Sequence, residues 1–195
     1  MEPKKIVYPF VGIPDNISEE EAMELLVKKL IEVEGWDCTP ETITFEQLRD
    51  ALDTAFMKQE FGLPFDAPRE EAEREAAKRF LRERALELLA DLGLGSIALN
   101  PDQYSSEEIR KEIEEKARAY VYGRKTELYL RGVRDLDQYL AEYIESTTHT
   151  VLLGLGKKEL PEGAGMSARE WYEMKLWRTR GGWLEGPGRG KIRPR

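Results

Sequence analysis

The sequence predicts a mainly α protein: an irregular bundle of about six helices with extended N- and C-terminal arms. Three observations predict it. Four Ser/Thr-x-x-Glu/Gln signatures each stand ahead of an apolar run. Apolar residues recur every three to four positions after most of them. Glycine and proline interrupt the pattern where helices should stop.

Taken in order, residues 1–17 read as an irregular arm broken by Pro9 and Pro14, with Ile6-Val7-Tyr8 as one short edge strand. Ser18 and Glu21 form a capping box, after which Ala22, Leu25, Leu26 and Leu30 share a helix face that ends at Gly35. Thr44 and Gln47 form a second box, opening a helix with Phe45, Leu48, Leu52, Ala55 and Phe56 on one face. Gly62 to Pro68 breaks the pattern, and a long helix with Pro68 in its first turn runs to about Leu92. Its first half, Arg69 to Arg79, is almost entirely charged or alanine, which predicts an exposed stretch or one facing a charged partner.

Gly93 to Pro101 reads as a linker that either divides two small helical layers or joins two helices of one bundle. Ser105 with Glu108 opens the next helix, with Ile109, Ile113, Ala117 and Val121 aligned. Leu136, Tyr139, Leu140, Tyr143 and Ile144 mark a further one, residues 146–166 read as irregular, and Ser167 with Glu170 opens a last helix carrying Trp171 and Met174. The domain reading is a helical body, 1–178, and a basic Gly/Arg-rich C-terminal arm, 179–195.

Composition bounds the class. The chain has 195 residues, 41% hydrophobic and 35% charged, enough apolar material for a core beneath extensively solvated helix faces. Cys38 is the single cysteine, so no intramolecular disulfide forms. No run approaches the roughly 20 apolar residues of a membrane span, and the N-terminus lacks the apolar core of a signal peptide. The expectation is a cytoplasmic protein, or one inside a virion assembled in the cytoplasm, without membrane association.

The net charge of −8 is unevenly spread. From Lys175 onward seven basic residues stand against the single acid Glu185, a net +6, which leaves −14 on residues 1–174. An acidic body with a basic end is a statement about partners rather than fold. Trp183, Leu184 and Ile192 lie among the arginines, and a purely solvating tail has little use for a tryptophan. The candidate partner-binding residues are therefore Trp177, Arg178, Arg180, Trp183, Leu184, Arg189, Lys191, Ile192, Arg193 and Arg195.

Motifs for chemistry are weak. His149, the only histidine, excludes any site needing two imidazoles and reads as a helix C-terminal residue facing free carbonyls. Gly154-Leu155-Gly156-Lys157-Lys158 fails the spacing of a phosphate-binding loop, since residue 151 is Val and Lys158 stands where Ser or Thr belongs, and it reads as a flexible loop. Cys38 reads as a buried or incidental thiol, and Asp135 with Asp137 as solvated helix surface. No catalytic residue, cofactor or metal site is expected.

The sequence therefore points to a non-enzymatic structural or assembly subunit of a multi-protein complex. It would dock a neighbour through the basic arm, with identical copies or other assembly components as partners. In size and layout the plan resembles phage head-tail connector, neck or minor virion proteins, although no motif is shared. The alternative is a nucleic-acid-binding or regulatory protein using the Trp/Arg/Gly tail, a reading the acidic body opposes because it repels a polyanion.

Overall fold

The computed structural model describes residues 10–14 and 16–179, with side chains through Leu176. From Glu19 onward these residues form eight α-helices, with no β-strand among the described residues. They are α1 (Glu19–Glu34), α2 (Phe45–Phe61), α3 (Arg69–Asp91), α4 (Gly95–Leu99), α5 (Ser106–Gly123), α6 (Lys125–Leu130), α7 (Leu136–Gly154) and α8 (Ala168–Thr179), with a 3-10 turn at Pro101–Gln103. Two helices beyond the expected six, α4 and α6, are single short turns of five and six residues inside connections. The expected strand at Ile6-Val7-Tyr8 lies outside the described residues.

All four capping boxes form. Ser18, Thr44 and Ser105 each accept from the backbone N–H three residues on, and Glu21, Gln47 and Glu108 reach back to the cap. The Ser167 hydroxyl likewise accepts from the Glu170 backbone at 3.3 Å, and Oε2 of Glu170 accepts from the Ser167 N–H at 2.9 Å. Gly35 and Gly62 end α1 and α2 in the left-handed conformation, at φ 65° and 71°, which costs a glycine little.

The chain divides into two compact units, residues 1–77 with 162–195, and Lys78–Pro161. The Gly93–Pro101 segment lies inside the second. In the first unit, Leu26 and Leu30 of α1 meet Ala51 and Ala55 of α2, with Val11 and Ile13 from the expected N-terminal arm buried among them. Each fully buried aliphatic side chain contributes on the order of 1.5–3 kcal/mol. The loop after Gly62 is closed by Lys58, itself buried, whose ammonium donates to the Phe65 carbonyl at 3.1 Å.

The first half of α3 is not the exposed charged stretch the composition implies. Ala72, Ala76 and Ala77 are fully buried, and Glu73 is buried too. The approach at Glu73 is close because its neighbour is a glycine: Gly165 packs on Glu73, and the Met166 N–H donates to the Glu73 carbonyl at 2.9 Å. Arg69 is held at the same end, with Nε 2.7 Å from Glu34 Oε2 and Nη1 2.7 Å from Asp50 Oδ2. The helix begins at Arg69, so Pro68 immediately precedes the first turn rather than lying within it. Phe45, expected on the apolar face of α2, is its first residue and stands 78% exposed, because the helix start lies beyond the packed seam.

In the second unit, Leu89, Ile97, Ile109, Ile113 and Val151 form one cluster, and Ala117, Val121, Leu128 and Leu140 a second. Tyr120 and Tyr143 stack between α5 and α7, centroids 5.5 Å apart and 19° from coplanar. Residues 146–154, expected to be irregular, continue α7. Their hydroxyl-rich sequence is accommodated by bonds back along the helix: Thr150 Oγ1 donates to the Ser146 carbonyl at 2.9 Å and Ser146 Oγ to Tyr143 O at 3.2 Å. Gly154, expected in a flexible loop, is the last residue of that helix. A β-carbon there would lie 2.3 Å from the Leu81 carbonyl oxygen and 2.6 Å from the Ala85 Cβ. It is a packing glycine that lets α7 close on α3.

Candidate functional site

The helix that leads into the basic segment is fastened firmly. Helix α8 buries Ala168 and Trp171, and Trp171 packs on α2. The Trp171 indole meets Phe61 edge-on at 5.3 Å and 76°, and its Nε1–H points at Glu60 Oε2, 3.5 Å away. The other oxygen of Glu60 takes Lys175, whose Nζ lies 2.6 Å from Oε1. The same ammonium sits over two rings, 5.5 Å from the Trp171 centroid and 5.9 Å from that of Tyr172. Lys175 is the first base of the positively charged end, and it binds a carboxylate against aromatic faces.

Beside this anchor, α2 and α8 form an open groove of about 460 Å3 lined by Asp53, Phe56, Gln59, Glu60 and Tyr172. Burial pushes the Asp53 carboxyl above its ordinary value of 3.8, with Arg49 opposing and Asp50 adding to the rise. The Arg49 ion pair is long at 3.9 Å, and the Arg49 side chain is 73% exposed, so little compensating charge reaches Asp53. Burial is also the main cause raising the Tyr172 phenol, with Glu60 and Asp53 adding to it. The groove therefore sets two carboxylates beside aromatic rings, Glu60 closely paired with Lys175 and Asp53 partly desolvated with only weak compensation from Arg49.

A second shallow groove of about 540 Å3 lies on the face of α1 beside Pro40, where Met23 and Val27 are rimmed by Glu19, Glu20 and Glu24. Glu24 there is already paired with Lys28 at 2.5 Å.

Of the residues singled out in the sequence, Trp177 and Arg178 belong to the last turn of α8 but their side chains lie outside the described set. Arg180, Trp183, Leu184, Arg189, Lys191, Ile192, Arg193 and Arg195 lie wholly outside the described residues. The groove residues Asp53, Phe56, Gln59 and Glu60 were not candidates. Phe56 reads as core in the sequence, and the acids as ordinary helix surface.

The remaining sequence features have structural roles. His149 is exposed within α7 and faces Lys158 rather than helix-end carbonyls, with Nδ1 3.2 Å from Nζ. Asp135 caps α7 through the N–H groups of Asp137 and Gln138 at 3.0 and 2.9 Å, and Asp137 accepts from the Tyr122 hydroxyl. Both acids are exposed, as expected of solvated helix surface, and make these bonds at its edge. Cys38 is half-buried and free of any disulfide.

Among the described residues no group of three or more His, Cys, Asp or Glu is placed to hold a metal ion, and no helix is long and apolar enough to cross a membrane. Compared with known proteins, the chain matches no family model, no curated protein and no solved structure.

Proposed function

We propose that this protein is a non-enzymatic assembly subunit that engages a neighbouring protein through its basic C-terminal segment. The observation that supports this reading is the seating of α8. Trp171 and Lys175 fix the helix to α2 through Phe61 and Glu60, so the basic segment starts from an anchored point on an acidic body. An arm rooted in this way loses less orientational freedom on docking than one leaving from a loose end. Trp183, Leu184 and Ile192 supply apolar contacts, and Arg180, Arg189, Arg193 and Arg195 supply charge pairing. The finer form of the proposal is a connector or minor subunit of a virion, for which only size and layout argue.

Truncation after Thr179 tests the proposal. Far-UV circular dichroism should show the helix content retained, while sedimentation velocity shows assembly lost. Assembly that persists unchanged in the truncated chain overturns it. Strongly salt-dependent binding of DNA or RNA by the full chain, lost on the same truncation, would favour a nucleic-acid partner instead.

A further inference from the structure

We infer that the groove between α2 and α8 receives the basic C-terminal segment, residues 180–195, of a second copy of this chain. The inference rests on the assembly reading above and names the surface that takes the arm.

Charge and shape both fit. Asp53 and Glu60 are seven residues apart, two turns of α2, or about 10 Å along its axis. Phe56 and Tyr172 lie with them in the groove. A carboxylate beside an aromatic face is the environment a guanidinium uses best, stacking its plane while forking two N–H groups onto oxygen. A cation already sits in such a setting once: the Lys175 ammonium binds Glu60 Oε1 above the Trp171 and Tyr172 rings. Asp53, further along the same groove, has among the described residues the long contact with Arg49 at 3.9 Å. Segment 180–195 carries five basic residues against Glu185, net +4, with Trp183, Leu184 and Ile192 for the aromatic floor.

The occupant is a second copy because of direction. From Tyr172 to Thr179 the helix carries the chain about 10 Å along α8, so its own arm must reverse to lie in the groove. The arm of a neighbour needs no reversal. Each copy then gives one arm and offers one groove, a heterologous contact that closes into a ring or extends.

The test uses two full-length variants: Asp53→Arg, which reverses the groove, and the triple change Arg189→Glu, Arg193→Glu, Arg195→Glu, which reverses the arm. Sedimentation velocity over a concentration series should show the unaltered chain self-associating and each variant alone weakened by about tenfold or more. Mixing the two variants should restore association, because the intact arm of one meets the intact groove of the other. Should Asp53→Arg fail to fold by circular dichroism, Asp53→Asn decides, with an expected weakening of about threefold or more.

A groove variant that assembles normally while the arm variant does not overturns this assignment and leaves the assembly reading standing. If neither variant matters, both fall. A chain that stays monomeric at every concentration, or variants that fail to complement on mixing, removes the second copy as occupant.

Discussion

The backbone oxygen of Leu81 occupies the space a side chain on Gly154 would need, at 2.3 Å from the position of its β-carbon. Alanine in a helix ordinarily gains about 0.5–1 kcal/mol over glycine. Here the obstacle is backbone, so α7 would have to move away from α3. Gly154→Ala should therefore destabilise by about 1–3 kcal/mol. Gly123→Ala, at the end of α5 with open space around it, should be neutral or stabilising. Urea unfolding of the two variants side by side checks the opposite signs.

Trp171 is 3% exposed and is the main apolar fastening of α8. Trp171→Ala should cost about 3–5 kcal/mol, and hydrogen exchange should show α8 losing protection ahead of α1. Glu60→Gln removes only the partly exposed pair with Lys175 and should cost no more than about 1 kcal/mol. Thermal unfolding of both variants ranks the two contributions.

Burial raises the Asp53 carboxyl above 3.8. The folded state then holds its proton more tightly than the unfolded chain, so this group lowers stability as pH rises from 3.8 through the folded value. Asp53→Asn should raise the melting temperature at neutral pH, and the gain should vanish below 3.8. A melting temperature that Asp53→Asn lowers at neutral pH would contradict the desolvated state of this carboxylate.

The cap acids run the other way. Glu21 and Glu108 are held below their ordinary 4.5, first by the backbone and then by the hydroxyl hydrogen bonds of Ser18 and Ser105. Their contribution is complete above 4.5 and is lost as pH falls through the lowered folded values. Helix content followed by circular dichroism during acid titration should decline in that window. Ser18→Ala with Ser105→Ala should flatten the decline.

What was legible in the sequence was local. Each capping box is complete within four residues, so helix starts at Ser18, Thr44, Ser105 and Ser167 need no knowledge of the rest of the fold. The continuation of α7 through 146–154 was hidden because its hydroxyls look like loop residues until their bonds to the preceding turn are seen. The buried alanines of α3 were hidden by the charges between them, since composition does not say which face is covered. The groove was the least legible. Glu60 and Trp171 are 111 residues apart, and only packing of α8 on α2 turns ordinary surface acids into a partly desolvated pair beside aromatic rings.

The self-contained helix starts have a consequence for how quickly the chain reaches its native state. A turn closed by its own fourth residue is favoured in the denatured ensemble, before any distant segment arrives. Nucleation, the slow step of helix growth, is thereby eased at four separate places along the chain. During synthesis the α1 and α2 segments carry their start signals as soon as they leave the ribosome, so the long-range search is left to bring α8 back onto α2.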